Sequence, residues 1–177
     1  MARLLLVPVV AALIALYSRD QQELRYAALV VFLIAALSDG IDGFVARKFN
    51  QRTQLGAVLD PLADKLLINL TLIFLAATPE LRYPIPKWFP VVVLARDIVI
   101  VYGSHLIRER FGSVQIKPSL WGKLNTVFQA ALVLAVLMEF AFSYVFLYLT
   151  LVSTVLSLRD YVRDGLRQAR QWSAGNA

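Results

Sequence analysis

Four aspartates stand in one short stretch of this chain, at spacings that sort them into two helical stripes. Residues 38–65 read SDGIDGFVARKFNQRTQLGAVLDPLADK. Asp39, Asp42, Gly43 and Ala46 follow i, i+3, i+4, i+7, while Gly56, Asp60 and Asp64 step by four. On a helix each set shares one face. The link from Lys48 to Gln54 is short enough to make the two helices antiparallel neighbours, so that both acidic stripes can face each other. Gly43, Ala46 and Gly56 are small, which lets backbones or a ligand approach closely.

Carboxylates converging in this way repel. Two unit charges about 5 Å apart cost about 3 kcal/mol at an effective dielectric of about 20. Placing each in a membrane adds about 2.5–3.5 kcal/mol. Lys65 and Arg47 are two candidate counter-ions, but two cations do not balance four anions. Hard divalent cations do, and an all-carboxylate cluster suits Mg²⁺ or Mn²⁺. Four carboxylates can hold two ions, which clamp a phosphoryl group between attacking and leaving oxygens. The plainer alternative is a set of solvated helix-end acids in ordinary ion pairs. It suits any one aspartate better than it suits four on facing stripes with paired glycines.

The surroundings are apolar. Of 177 residues, 59% are hydrophobic and 17% charged, and the mean hydropathy is +0.64. A soluble domain carries more charge. The apolar residues fall into blocks near the length that spans a bilayer as helix. Spans are predicted over about 2–17, 26–48, 55–77, 89–107, 120–138 and 144–158, with the last continuing as a basic tail to Arg170 and QWSAGNA fraying. The segment TPELRYPIPKW (78–88), with three prolines, is a loop. The fold class is therefore an all-α integral membrane protein of six transmembrane helices, one domain over 1–177 with no internal repeat. The first block lacks a small-residue cleavage site and is expected to be a retained helix. With no cysteine, disulfides, thiolate metal sites and cysteine nucleophiles are excluded.

Six spans put both termini on one side. Arg3, Arg47, Lys48, Arg52, Arg108, Arg110, Lys117, Lys123, Arg159, Arg163, Arg167 and Arg170 lie on that side, and only Arg19, Arg25, Arg82 and Lys87 on the other. The positive-inside rule makes the termini cytoplasmic. Asp39 to Asp64 then stand at the cytoplasmic ends of the second and third helices. The net charge of +6 fits loops facing anionic lipid better than nucleic acid.

The pattern Asp-x2-Asp-Gly-x2-Ala-Arg-x8-Gly-x3-Asp-x3-Asp is complete from Asp39 to Asp64. It resembles the CDP-alcohol phosphotransferases, six-helix membrane enzymes of phospholipid synthesis. The resemblance extends to ARDIVI (95–100), WGKLNT (121–126) and the Arg3 to Pro8 start. It implies transfer of a phosphatidyl group from a CDP-linked donor to an acceptor hydroxyl, with release of CMP. It also implies that Asp39, Asp42 and Asp60 ligate metal, with Asp64 close to a second ion and acting as general base. Gly43, Ala46 and Gly56 would line the cytidine pocket, and Arg47 would meet the donor phosphates. Relatives are homodimers, and the same is expected here. In one departure, many relatives carry an Asn-x2-Thr-x2-Arg stretch before the first helix, whereas here Met1 stands just before Arg3. Either the start is truncated or the nucleotide pocket lacks those contacts.

The motif does not choose the acceptor. Arg96, Arg108, Arg110, Lys117 and Lys123 cluster near the cytoplasmic ends of the fourth and fifth helices. A basic pocket there suits an acceptor that carries a phosphate, such as glycerol 3-phosphate, with Arg96, Arg108 and Lys123 as its contacts. Topology alone accounts for Arg110 and Lys117. Arg96 lies inside a span and needs a partner. Asp97 follows it directly and is expected to point elsewhere on the helix, so an anionic ligand or a motif aspartate is expected instead. The chain is most similar to bacterial phosphatidylglycerophosphate synthases, which take CDP-diacylglycerol as donor. The alternative is a CMP-forming cardiolipin synthase, with phosphatidylglycerol as acceptor. Either places the chain in the cell (inner) membrane with its site at the cytoplasmic face.

A small carboxylate-based transporter is the reading from another class. Against it, the acids gather at one membrane face, and no helix pair shows inverted broken-helix symmetry. His105 is the only histidine and receives no role. Trp88, Trp121 and Trp172 fall near helix ends, as interface anchors do. Glu139 is expected to be solvated in the turn after the fifth helix.

Overall fold

The computed structural model describes the backbone of residues 2–48, 54–111 and 119–175, and side chains over 5–38, 63–104, 109 and 119–167. Those residues form six helices: α1 (Ala2–Ala15), α2 (Gln22–Lys48), α3 (Gln54–Ala77), α4 (Trp88–Phe111), α5 (Leu120–Leu137) and α6 (Ser143–Gly175). No strand occurs among them.

Three boundaries differ from the sequence reading. α2 starts at Gln22, so QELR is its first turn and not a loop. Glu23 there complements the helix macrodipole. α4 runs on to Phe111. α6 is one continuous helix through Gly175, where a frayed end was expected. Its charged half has no proline to break it.

The core forms where helical stripes meet. Val7, Val10, Ala11 and Ile14 bury one face of α1, which packs on both α2 and α3. Ala28, Phe32 and Ala35 are the buried stripe of α2, and Leu67, Ile68, Leu72 and Leu75 that of α3. The loop after α3 folds Leu81 and Ile85 into the same core. α5 packs mainly on α6, and α6 also meets α4.

Contacts between connections fix the alternation of the helices. Arg19 Nε donates to the Glu80 carbonyl at 3.1 Å. Tyr83 and Tyr144 meet edge to face with ring centroids 6.3 Å apart. Arg25 Nη1 donates to the Leu137 carbonyl at 2.9 Å and lies 3.4 Å from Glu139 Oε1. The α1–α2, α3–α4 and α5–α6 connections therefore share one end of the bundle, and Asp39 to Asp64 belong to the opposite end.

At the shared end α5 closes with a Schellman turn. The Glu139 N–H donates to the Val136 carbonyl at 3.0 Å and the Phe140 N–H to the Ala135 carbonyl at 2.8 Å. Glu139 takes the left-handed position, φ 54°, where glycine is usual. Its carboxylate is paired with Arg25 and not simply solvated, which corrects the sequence reading. Arg25, counted above as a loop cation, is buried within α2 and holds the α5 C-terminus, where a cation is favoured.

α6 is inside out by the standard of a water-soluble helix. Thr150, Ser153, Thr154 and Ser157 are buried, while Val145, Tyr148, Val152 and Val155 are exposed. Ser153 and Thr154 hydroxyls both donate to Asn125 Oδ1, at 2.8 and 3.0 Å. Turning apolar side chains outward and small polar ones inward suits a helix in lipid, where tight packing and inter-helix hydrogen bonds drive association. Among the described residues, Leu120–Leu137 and Ser143–Arg167 are long and apolar enough to cross a membrane.

Candidate active site

The polar centre of the described bundle is built on Asp97. α3 presents Lys65 and Asn69 one turn apart, and α4 presents Arg96 and Asp97 to them. Asp97 Oδ1 accepts from Arg96 Nη1 at 2.6 Å and lies 3.2 Å from Lys65 Nζ. Its other oxygen accepts from Asn69 Nδ2 at 3.2 Å. Asp97 and Arg96 are both buried. One carboxylate thus pairs with two cations drawn from two helices and offsets part of their charge. This corrects the expected partner of Arg96: the guanidinium curls back to its sequence neighbour, because both side chains occupy the wedge between α3, α4 and α6.

Arg96 also reaches α6, its Nη2 donating to Ser157 Oγ. Gly122 on α5 makes room for that contact. A Cβ there would stand 3.3 Å from Arg96 Nη2, 3.3 Å from Ser119 Oγ and 3.5 Å from Ser157 Oγ. Ser119 caps α5, accepting from the Gly122 N–H at 3.0 Å. The positive end of the α5 dipole is therefore turned toward the same place.

A cavity of about 250 Å³ opens here, lined by Lys65, Arg96, Ser119, Gly122, Lys123, Ser157, Tyr161 and Asp164 among others. Three of these are cations and one is an acid. Arg96 Nε and Tyr161 Oη are buried and find no hydrogen-bond partner among the described residues. Buried orphans of this kind are rare and call for a partner. A small polyanion in the cavity would face Lys65, Arg96 and Lys123, whereas Tyr161 Oη is set against Gly103 of α4. The cavity sits beside the motif, since Lys65 follows Asp64 directly, and Asp64 is half-buried on α3.

Of the residues singled out from sequence, Arg96 and Lys123 come together in this cavity. Asp39, Asp42, Gly43, Ala46 and Arg47 lie on α2, and Gly56 and Asp60 on α3. Their side chains and that of Arg108 are outside the described set. The helical backbone keeps each acidic set on one stripe. The apposition of the two stripes falls outside the described side chains as well. Among the described residues no three acidic, histidine or cysteine side chains gather as a metal site.

Sequence reasoning missed Asp97 as a partner, and Ser157, Tyr161 and Asp164 altogether. A signal was present. Thr150, Ser153, Thr154, Ser157, Tyr161 and Asp164 recur at helical spacing within an otherwise apolar stretch, a polar stripe with no reason to face lipid.

The described helices thus form an apolar all-helical bundle that carries an acidic motif and a basic cavity. The family model for CDP-alcohol phosphatidyltransferase matches residues 1–156, and the chain belongs to that family. Similar curated proteins include the CDP-diacylglycerol--glycerol-3-phosphate 3-phosphatidyltransferase of Aquifex aeolicus, 36% identical over 137 residues, covering 77% of this chain and 71% of that protein. The enzyme of that name from Bacillus subtilis is 36% identical over 113 residues, 64% of this chain and 55% of that one. Human cardiolipin synthase (CMP-forming) is 34% identical over 133 residues, 66% of this chain and 43% of that one. The chain spans about half the length of the human and Bacillus relatives.

Proposed function

We propose that this chain transfers a phosphatidyl group from CDP-diacylglycerol to glycerol 3-phosphate, giving phosphatidylglycerophosphate and CMP. The observation that carries the choice of acceptor is the cavity lined by Lys65, Arg96 and Lys123. It has the charge and size for a small phosphorylated alcohol. Bacterial relatives named for this acceptor are the more similar over the greater share of their length.

In this reading Asp39, Asp42, Asp60 and Asp64 hold Mg²⁺ or Mn²⁺. An all-oxygen, all-anionic donor set on two helical stripes fits hard divalent ions and little else. The bound ions would neutralise charge on the transferring phosphoryl group. Gly43, Ala46 and Gly56 leave space for the cytidine, and Arg47 binds donor phosphates through its planar guanidinium. Arg96 and Lys123, with Arg108 from the end of α4, hold the acceptor phosphate. Asp64 takes the proton of the acceptor hydroxyl, a role open to a carboxylate within hydrogen-bond reach. The bond formed joins that oxygen to the phosphatidyl phosphorus, and the bond broken frees CMP.

The six helices all span the membrane in this reading, with both termini and the site at the cytoplasmic face and the chain paired as a homodimer. The one-sided distribution of lysine and arginine supports that orientation.

A second acceptor has one observation in its favour. An apolar groove of about 500 Å³ runs between α3 and α4 past Leu66, Leu70, Leu94 and Ile98, and shares Lys65 with the basic cavity. An acceptor with acyl chains, such as phosphatidylglycerol, would find a track there. CMP release by the purified full chain, with CDP-diacylglycerol, Mg²⁺ or Mn²⁺ and one acceptor at a time, decides. Turnover with glycerol 3-phosphate supports the proposal. Turnover only with phosphatidylglycerol moves it to cardiolipin synthesis, and no CMP with either overturns it.

A further inference from the structure

The C-terminal half of α6 has two chemically opposite faces, and only one of them belongs to the site. Tyr161 and Asp164 line the basic cavity, and Asp160 is half-buried. The other face carries Val155, Arg159, Val162, Arg163, Leu166 and Arg167, which line a shallow outward groove of about 660 Å³. Val155, Val162 and Leu166 are 65%, 48% and 57% exposed. Arg159, Arg163 and Arg167 step by four, are exposed, and have no ion-pair partner among the described residues. Asp164, near enough in sequence to pair with Arg163 or Arg167, lines the inner cavity instead, while the three arginines face outward.

Topology requires cations at this end of the helix but no such sorting. Length places the arginines. α6 has 33 residues, about 50 Å at a rise of about 1.5 Å per residue. A hydrocarbon core of about 30 Å takes up roughly the first twenty. That core ends near Val162, so Arg163 and Arg167 stand at and just above its edge, and Arg159 lies about one turn below, within reach of the headgroups by its long side chain.

We propose that this outward face of α6 docks anionic phospholipid headgroups of the bilayer that holds the bundle. The guanidinium row meets the phosphates and carboxylates, and Val155 and Val162 meet the acyl chains. A second copy of the chain is the poorer occupant. Two-fold packing on this stripe would bring two unpaired arginine rows together. The inference rests on the membrane placement proposed above and is independent of which reaction the chain catalyses.

Native mass spectrometry of the full chain, released from nanodiscs of phosphatidylcholine and phosphatidylserine, reads the bound lipid without turnover. Phosphatidylserine is neither donor nor acceptor in the proposed reaction, so the active site does not confuse the result. Retained lipid should be enriched in phosphatidylserine. A basic residue at an anionic leaflet adds about fivefold to association. The combined Arg159→Gln, Arg163→Gln, Arg167→Gln variant should therefore lose about tenfold or more of that enrichment. The matching triple lysine variant should keep most of it. Arg82→Gln with Lys87→Gln, exposed cations at the other end, should leave it unchanged. Equal retention of both lipids by the unaltered chain overturns the proposal. So does an equal loss in the Arg82/Lys87 variant, which would indicate net charge alone. Unchanged enrichment in the triple glutamine variant also overturns it, and a dimer that becomes monomer in that variant would assign the face to a second copy.

Discussion

Arg96 and Asp97 are neighbours in sequence and in space, with Nη1 2.6 Å from Oδ1 inside the bundle. The same carboxylate holds Lys65 and Asn69 from the facing helix. Asp97 therefore sets the position of two cations at the mouth of the basic cavity and cancels part of their charge. Buried pairs of this kind are sensitive to loss of one partner, because the other is left charged and alone.

Arg96→Ala is expected to raise the apparent KM for glycerol 3-phosphate by roughly tenfold to a hundredfold, the range of a hydrogen bond to a charged group. The KM for CDP-diacylglycerol should change much less. Steady-state kinetics with each substrate varied in turn makes the comparison, and the reverse pattern would assign Arg96 to the donor.

Asp39→Asn or Asp60→Asn should abolish transfer and weaken binding of Mn²⁺, followed by electron paramagnetic resonance. Asp64→Asn should lower kcat by about a hundredfold or more, in the range of general-base catalysis, with a smaller effect on donor KM. Retained activity with unchanged metal dependence in the first two would remove the motif from the metal site.

Gly122→Ala tests the cavity from its opposite wall. The added methyl would meet Arg96 Nη2 and Ser119 Oγ at 3.3 Å, so the guanidinium must shift by a few tenths of an ångström. The acceptor KM should rise severalfold while thermal stability in detergent changes little. Gly122→Leu would fill the space and should leave donor binding but little transfer.

Arg25→Ala removes the hydrogen bond to the Leu137 carbonyl and the pair with Glu139. The expected cost is about 1.5–3 kcal/mol, as for a hydrogen bond to a charged group, seen as a lower melting temperature with the relative KM values unchanged. Glu139→Gly should destabilise less than Glu139→Ala, because glycine relieves the left-handed backbone at φ 54° while alanine keeps it.

Much of this protein was legible in its sequence because the signals are local. Apolar blocks broken by prolines and charges mark six helices, and i, i+3, i+4 spacing puts Asp39, Asp42, Asp60 and Asp64 on helical stripes whatever surrounds them. The family motif is likewise a matter of order and spacing. Tertiary structure decided what long side chains do once helices converge. Arg96 turns back to Asp97 because α3 and α6 close the space around both, and Lys65 goes to Asp97 on α4. Arg25 leaves its expected loop to hold the end of α5, more than a hundred residues away, since only packing brings α2 to that carbonyl. Ser157, Tyr161 and Gly122 acquire a role only where α4, α5 and α6 meet. The same holds for the arginines of α6: their number is written in the chain, but which face they take is set by the cavity that draws Tyr161 and Asp164 inward.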